Sequence, residues 1–385
     1  MCFCLSIRYR ELERRDIEKM ETLGGKIELW LVAQPRCSIL EDPPNGRFDC
    51  YMNITLGVYC EIEGNSASWN ITMEDLNCIP AFHIAVIGGT LNPTETKSTM
   101  GSKILNMQNE NNPVVKDINI IGSTNTFMFT KPAVQFFKGA MITMGGSLTK
   151  SGLYIYTGTI LENGGSWSPS LYETPLSVVV HDRVYLIAGF CKDCIHGYMK
   201  ETTGYQKYLE PRIPSIPVFS NCVMRYLDKY LLIIYGSLKS PTLYNVITGE
   251  YTSNKIPIYP DQGRLDSLYN FACTTFMDKN TGEELIIISG GYINAATPVA
   301  GGVHVFTPSL GSWKTISQFN HPRRAHNVVV TANGVFAVGG IGALPGDMSM
   351  KPIEKLNMAT MKWVVVSNLQ TGYDQGVLAV PGSIL

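Results

Sequence analysis

A short apolar strand that runs into glycine recurs along this chain, and this repeat constrains the fold more than any other feature. From the second unit onward the strand ends in Gly or Gly-Gly, and the first glycines are spaced by 57, 44, 47, 54 and 49 residues. The seven strands lie at 28–34, 83–89, 140–146, 184–189, 231–236, 285–291 and 335–340. Repeats of about 50 residues with about four short strands each are typical of a β-propeller. The repeat therefore predicts an all-β fold with a single propeller domain over residues 25–385.

A spaced pair of large residues marks most of the units. Three pairs are seven positions apart across a turn, namely Tyr244–Tyr251, Phe306–Trp313 and Leu356–Trp363. The pairs Tyr156–Trp167 and Tyr59–Trp69 repeat the pattern with inserted residues. We expect the glycines to permit close backbone packing where a Cβ would clash, and the aromatic residues to fill the wedge between neighbouring sheets.

The two ends of the repeat region complement each other. Residues 321–330 read as a first strand that leads through the hairpin signal Asn333-Gly334 into a second strand. Residues 375–382 read as a first strand without its partner, and the unit that begins at Gly25 reads as a second strand without its first. We therefore expect the C-terminal strand to pair into this N-terminal blade and close the ring. Seven units predict seven blades; six is the alternative, because the first unit has no glycine pair.

Together these markers resemble kelch repeats. The Gly-Gly after an apolar strand, the spaced aromatic residue and the run Pro322-Arg323-Arg324-Ala325-His326 carry the resemblance, which covers roughly residues 25–385. It implies structural roles for Gly88, Gly89, Gly145, Gly146, Gly189, Gly236, Gly290, Gly291, Gly339, Gly340, Trp69, Trp167, Trp313 and Trp363.

Composition excludes several classes of protein. The chain is 45% hydrophobic and its net charge is −1, which argues against a strongly basic nucleic-acid binder. No apolar run approaches the ~20 residues of a membrane span, so we expect no membrane insertion. We expect the ten cysteines to be mainly reduced and buried. Residues 1–24 are rich in charge and read as a peripheral leader, unless translation begins at Met20.

Motifs for catalysis are missing from the sequence. It contains no nucleophile elbow, no phosphate-binding loop and no His-Glu-x-x-His, so we expect no enzyme activity and no cofactor. Cys191 and Cys194 form a weak candidate metal or redox pair, and inert loop cysteines or a local disulfide are the alternatives. Arg323 and Arg324 are candidates for contact with phosphate or a partner, although we expect at least one of them to anchor packing through backbone carbonyls.

A propeller without catalytic groups is expected to act as a binding platform. Three short colinear segments also resemble the kelch subunit of RAG-type recombinases: 25–34, 88–93 with 102–107, and 345–347. That subunit in vertebrates continues into an acidic hinge and a zinc-binding PHD finger, and this chain has neither. The resemblance implies a nuclear accessory subunit that stabilises a DDE-type transposase and helps it hold and cleave terminal-repeat DNA, with the catalytic residues on the partner chain.

Two alternatives remain open. One is a kelch interaction module, cytosolic or extracellular, with unrelated partners. Its extracellular form would show disulfides among Cys37, Cys50, Cys60 and Cys78 and glycosylation at Asn53 or Asn70. The other is a copper-radical oxidase on the same fold, for which the sequence offers no cluster of His and Tyr residues.

Overall fold

The chain divides into two compact units, Met1–Pro80 and Ala81–Leu385. The computed structural model describes residues 83–90, 102–110, 113–118, 132–137, 140–144, 176–180, 183–187, 221–227, 229–236, 240–259, 268–278, 281–293, 299–331, 333–343, 346–369 and 371–380. Of ten further strands it describes the backbone alone: 29–32, 37–39, 48–50, 55–58, 60–63, 66–69, 152–156, 161–166, 195–201 and 204–209. The described residues include no helix with the length and hydrophobicity of a membrane span.

The first unit contains short antiparallel pairs. Its described strands are β1 (Leu29–Val32), β2 (Cys37–Ile39), β3 (Phe48–Cys50), β4 (Thr55–Val58), β5 (Cys60–Glu63) and β6 (Ser66–Trp69). They form three two-stranded sheets, β1 with β4, β2 with β3 and β5 with β6.

The second unit is built almost entirely of short strands. The strands up to residue 253 are β7 (His83–Ile87), β8 (Ser102–Asn106), β9 (Val114–Ile118), β10 (Ala133–Phe137), β11 (Ala140–Met144), β12 (Gly152–Tyr156), β13 (Leu161–Ser166), β14 (Leu176–Val180), β15 (Arg183–Ile187), β16 (Ile195–Glu201), β17 (Gly204–Leu209), β18 (Asn221–Tyr226), β19 (Tyr230–Tyr235), β20 (Thr242–Asn245) and β21 (Tyr251–Ser253). The remaining strands are β22 (Leu268–Tyr269), β23 (Ala272–Met277), β24 (Glu284–Ser289), β25 (Tyr292–Ile293), β26 (Val299–Ala300), β27 (Val303–Thr307), β28 (Ser312–Ile316), β29 (Arg323–Arg324), β30 (Asn327–Thr331), β31 (Gly334–Val338), β32 (Ile341–Gly342), β33 (Ile353–Asn357), β34 (Lys362–Ser367) and β35 (Gly376–Val380). A short 3-10 turn, Pro308–Leu310, separates β27 from β28.

These strands form a β-propeller. The described residues contain six four-stranded antiparallel sheets, in the strand orders β35-β7-β8-β9, β10-β11-β12-β13, β14-β15-β16-β17, β18-β19-β20-β21, β23-β24-β27-β28 and β30-β31-β33-β34. The first strands touch one another in the cyclic order β35, β10, β14, β18, β23, β30 and back to β35. The predicted all-β propeller class is therefore confirmed.

The apolar strands identified in the sequence are the second strands of these sheets. In β7, β11, β19 and β24 nearly every residue is buried, because each strand lies inside a sheet that is covered on both faces. The main hydrophobic clusters lie between neighbouring sheets. Met224 and Leu232 pack with Ile286 and Phe306 in one such cluster, for example.

The large residues seven positions apart are cross-strand partners. Tyr244 lies opposite Tyr251, Phe306 opposite Trp313 and Leu356 opposite Trp363. Each pair spans the hairpin that joins the third and fourth strands of a sheet. The Asn333-Gly334 hairpin also forms, since Thr331 pairs with Gly334. In contrast, Tyr156 lies opposite Leu161, and Trp167 lies outside the described residues.

One detail of the predicted ring needs correction. The strand β35 does not pair into the unit that begins at Gly25; it pairs with β7, so that Val377 lies opposite Val86. The strand β1 of that first unit pairs instead with β4. The described residues thus hold six four-stranded sheets and do not include the predicted seventh. Every second strand shares the same apolar pattern, so the pattern alone could not identify which one lacked its neighbour.

One disulfide links two first strands. Cys222 in β18 and Cys273 in β23 are bonded, with Cα atoms 6.0 Å apart. The expectation that the cysteines are mainly reduced is therefore wrong for this pair. Both cysteines occur within ordinary strand patterns 51 residues apart, so no local pattern indicates the bond.

Candidate functional site

One end of the propeller is formed by segments that meet in short two-residue pairings. The segment before a first strand lies beside the segment that follows the second strand of the same sheet. Leu268–Tyr269 pairs in this way with Tyr292–Ile293, and Arg323–Arg324 pairs with Ile341–Gly342. A single bridge between Thr90 and Tyr373 repeats the arrangement in the sheet that β35 begins. We call this end the glycine-pair end, because a glycine pair connects each of these second strands to the segment that follows it.

The glycine pairs let neighbouring sheets approach closely at this end. A Cβ on Gly290, whose φ is +58°, would lie 2.5 Å from the Arg323 carbonyl oxygen. A Cβ on Gly339, whose φ is +70°, would lie 2.7 Å from the Gly372 carbonyl oxygen of the next sheet. Gly291 N–H donates to the Arg323 carbonyl at 2.9 Å, across the boundary between two sheets. Only glycine combines this backbone conformation with this contact.

A second series of backbone contacts crosses the sheets just before each first strand. Asn270, Ala325 and Asp374 occupy equivalent positions and all have a positive φ, between 51° and 54°. Ala325 N–H donates to the Asn270 carbonyl at 2.9 Å, and Asp374 N–H donates to the Ala325 carbonyl at 3.4 Å. Three successive sheets are therefore joined through main-chain atoms at the glycine-pair end.

Arg323 is a structural residue in this arrangement. Its side chain is 0% exposed. It donates to the carbonyl oxygens of Gly339 (3.1 Å), Pro352 (2.7 Å) and His321 (3.3 Å), and it forms a buried ion pair with Glu354. Its guanidinium has no exposed face for phosphate or for a partner. The anchoring role that we expected for at least one arginine of the pair is thus the role of Arg323.

Glu354 completes the network around this arginine. The carboxylate is also 0% exposed and accepts hydrogen bonds from the Asn320 backbone at 2.8 Å, its side chain at 3.2 Å, and the His321 backbone at 3.1 Å. Burial lowers the pKa of Arg323, while the charge of Glu354 acts in the opposite direction. The pair fixes the segment before β30 to β33.

His326 and Ser289 form a buried polar pair. The Ser289 hydroxyl lies 3.1 Å from His326 Nε2, and His326 Nδ1 has no hydrogen-bond partner. Burial first, and the charge of Arg323 second, hold the pKa of His326 well below its usual value. Although serine beside histidine is a pair used in nucleophilic catalysis, Ser289 is 0% and His326 5% exposed. A substrate has no access to them.

Arg324 differs from its neighbour in exposure and in partners. Its side chain is half-buried, and its Nε donates to the Gly342 carbonyl at 3.1 Å. The guanidinium carbon lies 5.2 Å from the centre of the Tyr292 ring. Tyr292 in turn stacks on Tyr269, with ring centres 5.4 Å apart and planes inclined by 25°. Two sheets thus contribute to one surface of aromatic and cationic groups.

The described tryptophans fill the wedges between sheets. Trp313 packs on Phe306 at 5.2 Å and on the edge of Tyr259 at 6.0 Å, and its Nε1 donates to the Pro257 carbonyl at 2.7 Å. Trp363 packs on Phe319, with ring centres 4.6 Å apart. These contacts give both residues a packing role.

The other predicted residues fall into two groups. Seven predicted glycines directly follow a second strand: Gly88, Gly89, Gly236, Gly290, Gly291, Gly339 and Gly340. Gly145, Gly146, Gly189, Trp167, Cys191 and Cys194 lie outside the described residues, and Trp69 ends β6, of which only the backbone is described. No group of three or more His, Cys, Asp or Glu residues suited to a metal ion occurs within the part of the chain that the structure describes.

Sequence reasoning missed Tyr292 and Glu354. Tyr292 directly follows the pair Gly290-Gly291, so the glycine pair is a local sequence signal for its position at the glycine-pair end. Glu354 is a charged residue inside the strand Ile353–Asn357, which is a signal of a buried ion pair. Nothing local connects it with Arg323, 31 positions away.

Comparison with known proteins supports the fold. No family model and no curated protein matches the chain. Among solved structures, the chain is similar to that of YjhT, with a TM-score of 0.50 and 10% sequence identity over 69% of this chain and 90% of that chain. At this identity the likeness shows the fold alone, and it agrees with the β-propeller that the sheets of Ala81–Leu385 form.

Proposed function

We propose that this protein is a non-catalytic binding subunit that presents the glycine-pair end of its propeller to a protein partner. The observation that carries the proposal is the backbone bonding across sheets at this end, from Ala325 to Asn270 and from Gly291 to Arg323. These bonds fix the segments before association, so that binding loses little conformational freedom.

The composition of this end favours a protein partner. Tyr269, Tyr292 and Arg324 are half-buried side chains on a fixed backbone. Tyrosine and arginine are the residue types that contribute most to binding energy at protein interfaces. Among the described residues, Ser289 and His326 are the pair best suited to catalysis. Both are buried, which argues against a reaction there. Catalysis in such a complex would come from the partner chain.

The finer proposal is that the partner is a DDE-type transposase, with the protein acting as its accessory subunit in the nucleus. The support is the colinear resemblance of 25–34, 88–93 with 102–107, and 345–347 to the kelch subunit of RAG-type recombinases. The net charge of −1 suits a subunit that meets DNA only within a complex. The comparisons with known proteins add no support for this partner.

The test is a capture experiment with the full chain. The immobilised protein is exposed to an extract of its source and to purified candidate transposases, at low and raised salt, and each candidate is then checked for co-elution in size-exclusion chromatography. We expect a stoichiometric partner that is lost with Tyr292→Ser and kept with Tyr251→Ser, a matched change on the outer strand β21, where Tyr251 is 48% exposed. A transposase partner supports the finer proposal, and recovery of secreted or cytoskeletal proteins alone contradicts it. The absence of any stoichiometric partner contradicts the binding function itself.

A second candidate is an extracellular interaction module. Cys37 and Cys50 lie directly opposite each other in the pairing of β2 with β3, and Cys222 is bonded to Cys273. Disulfides persist mainly in oxidising compartments. Mass spectrometry of the natural protein without reduction tests this candidate: a Cys37–Cys50 bond together with a glycan at Asn53 or Asn70 supports secretion, and free thiols throughout contradict it.

A further inference from the structure

Tyr269, Tyr292 and Arg324 form a surface that we call the tyrosine–arginine stack. The two rings are stacked at 5.4 Å, and the Arg324 guanidinium carbon lies 5.2 Å from the Tyr292 ring centre. Tyr269 in β22 and Tyr292 in β25 flank the first two strands of the β23 sheet, whereas Arg324 precedes the first strand of the next sheet. The stack therefore spans the boundary between two sheets at the glycine-pair end.

Strand pairing holds the backbone of all three residues of the stack. Tyr269 pairs with Tyr292, and Arg324 pairs with Ile341. Arg324 Nε donates to the Gly342 carbonyl, which restricts the guanidinium plane. A side chain restrained in this way has little conformational entropy left to lose when a partner binds.

The charge of Arg324 is not balanced within the described structure. Arg324 is in none of the ion pairs found among the described residues, which include Arg323 with Glu354, Lys351 with Asp347 and Lys355 with Glu110. The nearby carboxylate of Asp347 is engaged by Lys351 and Ser349. Of the segments next in sequence to the stack, 294–298 and 344–345 contain no Asp or Glu, whereas 260–267 contains Asp261 and Asp266.

The second contact of the guanidinium is weak. Its Nη2 lies 3.7 Å from the sulfur of Met348, a side chain that is 40% exposed. A thioether is a poor acceptor, so the terminal N–H groups retain capacity for a stronger one. A carboxylate is the acceptor that matches the planar guanidinium by two parallel hydrogen bonds.

We propose that the tyrosine–arginine stack binds a carboxylate side chain in an acidic segment of a partner protein, an inference that rests on the proposed binding function. The carboxylate pairs with Arg324, and an apolar side chain beside it packs on the exposed edges of Tyr292 and Met348. Arg324 is the cation of the stack, and one guanidinium suits one carboxylate better than the row of phosphates in a nucleic acid, which requires several cations.

The probe is a phage-displayed library of short random peptides, selected on the immobilised full chain. We expect the selected peptides to share Asp or Glu next to an apolar residue. A synthetic copy of one such peptide then binds Arg324→Gln at least about tenfold more weakly than the unaltered protein, a typical loss for a charge-assisted contact. Arg324→Lys is also weaker, because lysine cannot form the two parallel bonds. Lys362→Gln, at an exposed position on β34, keeps the affinity.

A double-mutant cycle separates direct contact from disturbance of the fold. The losses of binding free energy caused by Glu to Gln in the peptide and by Arg324→Gln in the protein should not be additive, because each change removes the same contact. The unfolding midpoint of each variant is measured alongside. Additive losses, peptides without acidic residues, or preferential binding of a phosphorylated peptide or single-stranded DNA overturn the inference. A stoichiometric partner that the unaltered protein and Arg324→Gln capture equally overturns it while leaving the binding function standing.

Discussion

Replacing Gly290 with alanine tests the account of the glycine pairs. Gly290 has φ of +58°, and a Cβ there would lie 2.5 Å from the Arg323 carbonyl oxygen and 2.7 Å from His326 Cε1. Gly311 provides a matched control, because its φ is +60° and no atom lies within 4 Å of its Cβ position. Both substitutions place an alanine in the left-handed region, but only the first creates a clash.

The magnitudes follow from these two contributions. A left-handed conformation costs a residue other than glycine about 1–2 kcal/mol. Forcing an extra methyl into packed surroundings costs about a further 1–3 kcal/mol. We therefore expect Gly311→Ala to lower the free energy of unfolding by about 1–2 kcal/mol and Gly290→Ala by about 2–5 kcal/mol. The clash involves a backbone carbonyl, which cannot move away as the end of a flexible side chain can.

The assay is unfolding in urea, with the free energy of unfolding extrapolated to water for each variant. If Gly311→Ala folds and Gly290→Ala does not accumulate as folded protein, the result supports the prediction that Gly290→Ala is the more destabilising change. Equal losses for the two variants would refute the reasoning, because the shared backbone cost would then account for the whole effect.

Three further predictions concern the core and the sheet boundaries. Glu354→Gln should lower the free energy of unfolding by about 3–5 kcal/mol in the same assay, because it leaves Arg323 charged and unpaired where it is 0% exposed; a loss below about 1 kcal/mol would show that the carboxylate is dispensable. The lowered pKa of His326 keeps this side chain neutral in the folded state, so stability should be full above pH ~6.5 and fall by up to ~1.4 kcal/mol per pH unit below it. Urea unfolding between pH 7.5 and 5 should show this slope, and His326→Gln should reduce it; an unchanged slope would exclude His326 as its source. Trp313→Phe removes the hydrogen bond to the Pro257 carbonyl at 2.7 Å and should cost about 0.5–1.5 kcal/mol, because the carbonyl is exposed and can bond to water instead; no change in the urea midpoint would contradict the wedge role.

The sequence could predict the second strands because their signal is local. An apolar run that ends in Gly290-Gly291 or Gly339-Gly340 fixes the strand, its burial and the turn after it without knowledge of the rest of the chain. The spacing of Phe306 and Trp313 likewise carries the register of their hairpin, because both residues lie on adjacent strands of one sheet.

The remaining features depend on residues far apart in the chain. Two adjacent arginines have the same sequence pattern, and only the packing of Glu354 against Arg323 separates the buried anchor from the half-buried Arg324. The bond between Cys222 and Cys273 depends on which sheets become neighbours. For the same reason the strand pattern of 375–382 predicted a first strand correctly but assigned it the wrong partner.

The pairing of β35 with β7 has a consequence for how the protein is made. Gln375 and Gly88, at the ends of these strands, are 287 residues apart in the chain. During synthesis β7 therefore emerges long before its neighbour, and its outer hydrogen-bonding groups stay open while the intervening sheets form. Because such edges pair readily with other chains, the nascent protein is exposed to aggregation until β35 leaves the ribosome. Chaperone dependence should thus extend from the emergence of β7 until β35 is available to pair with it.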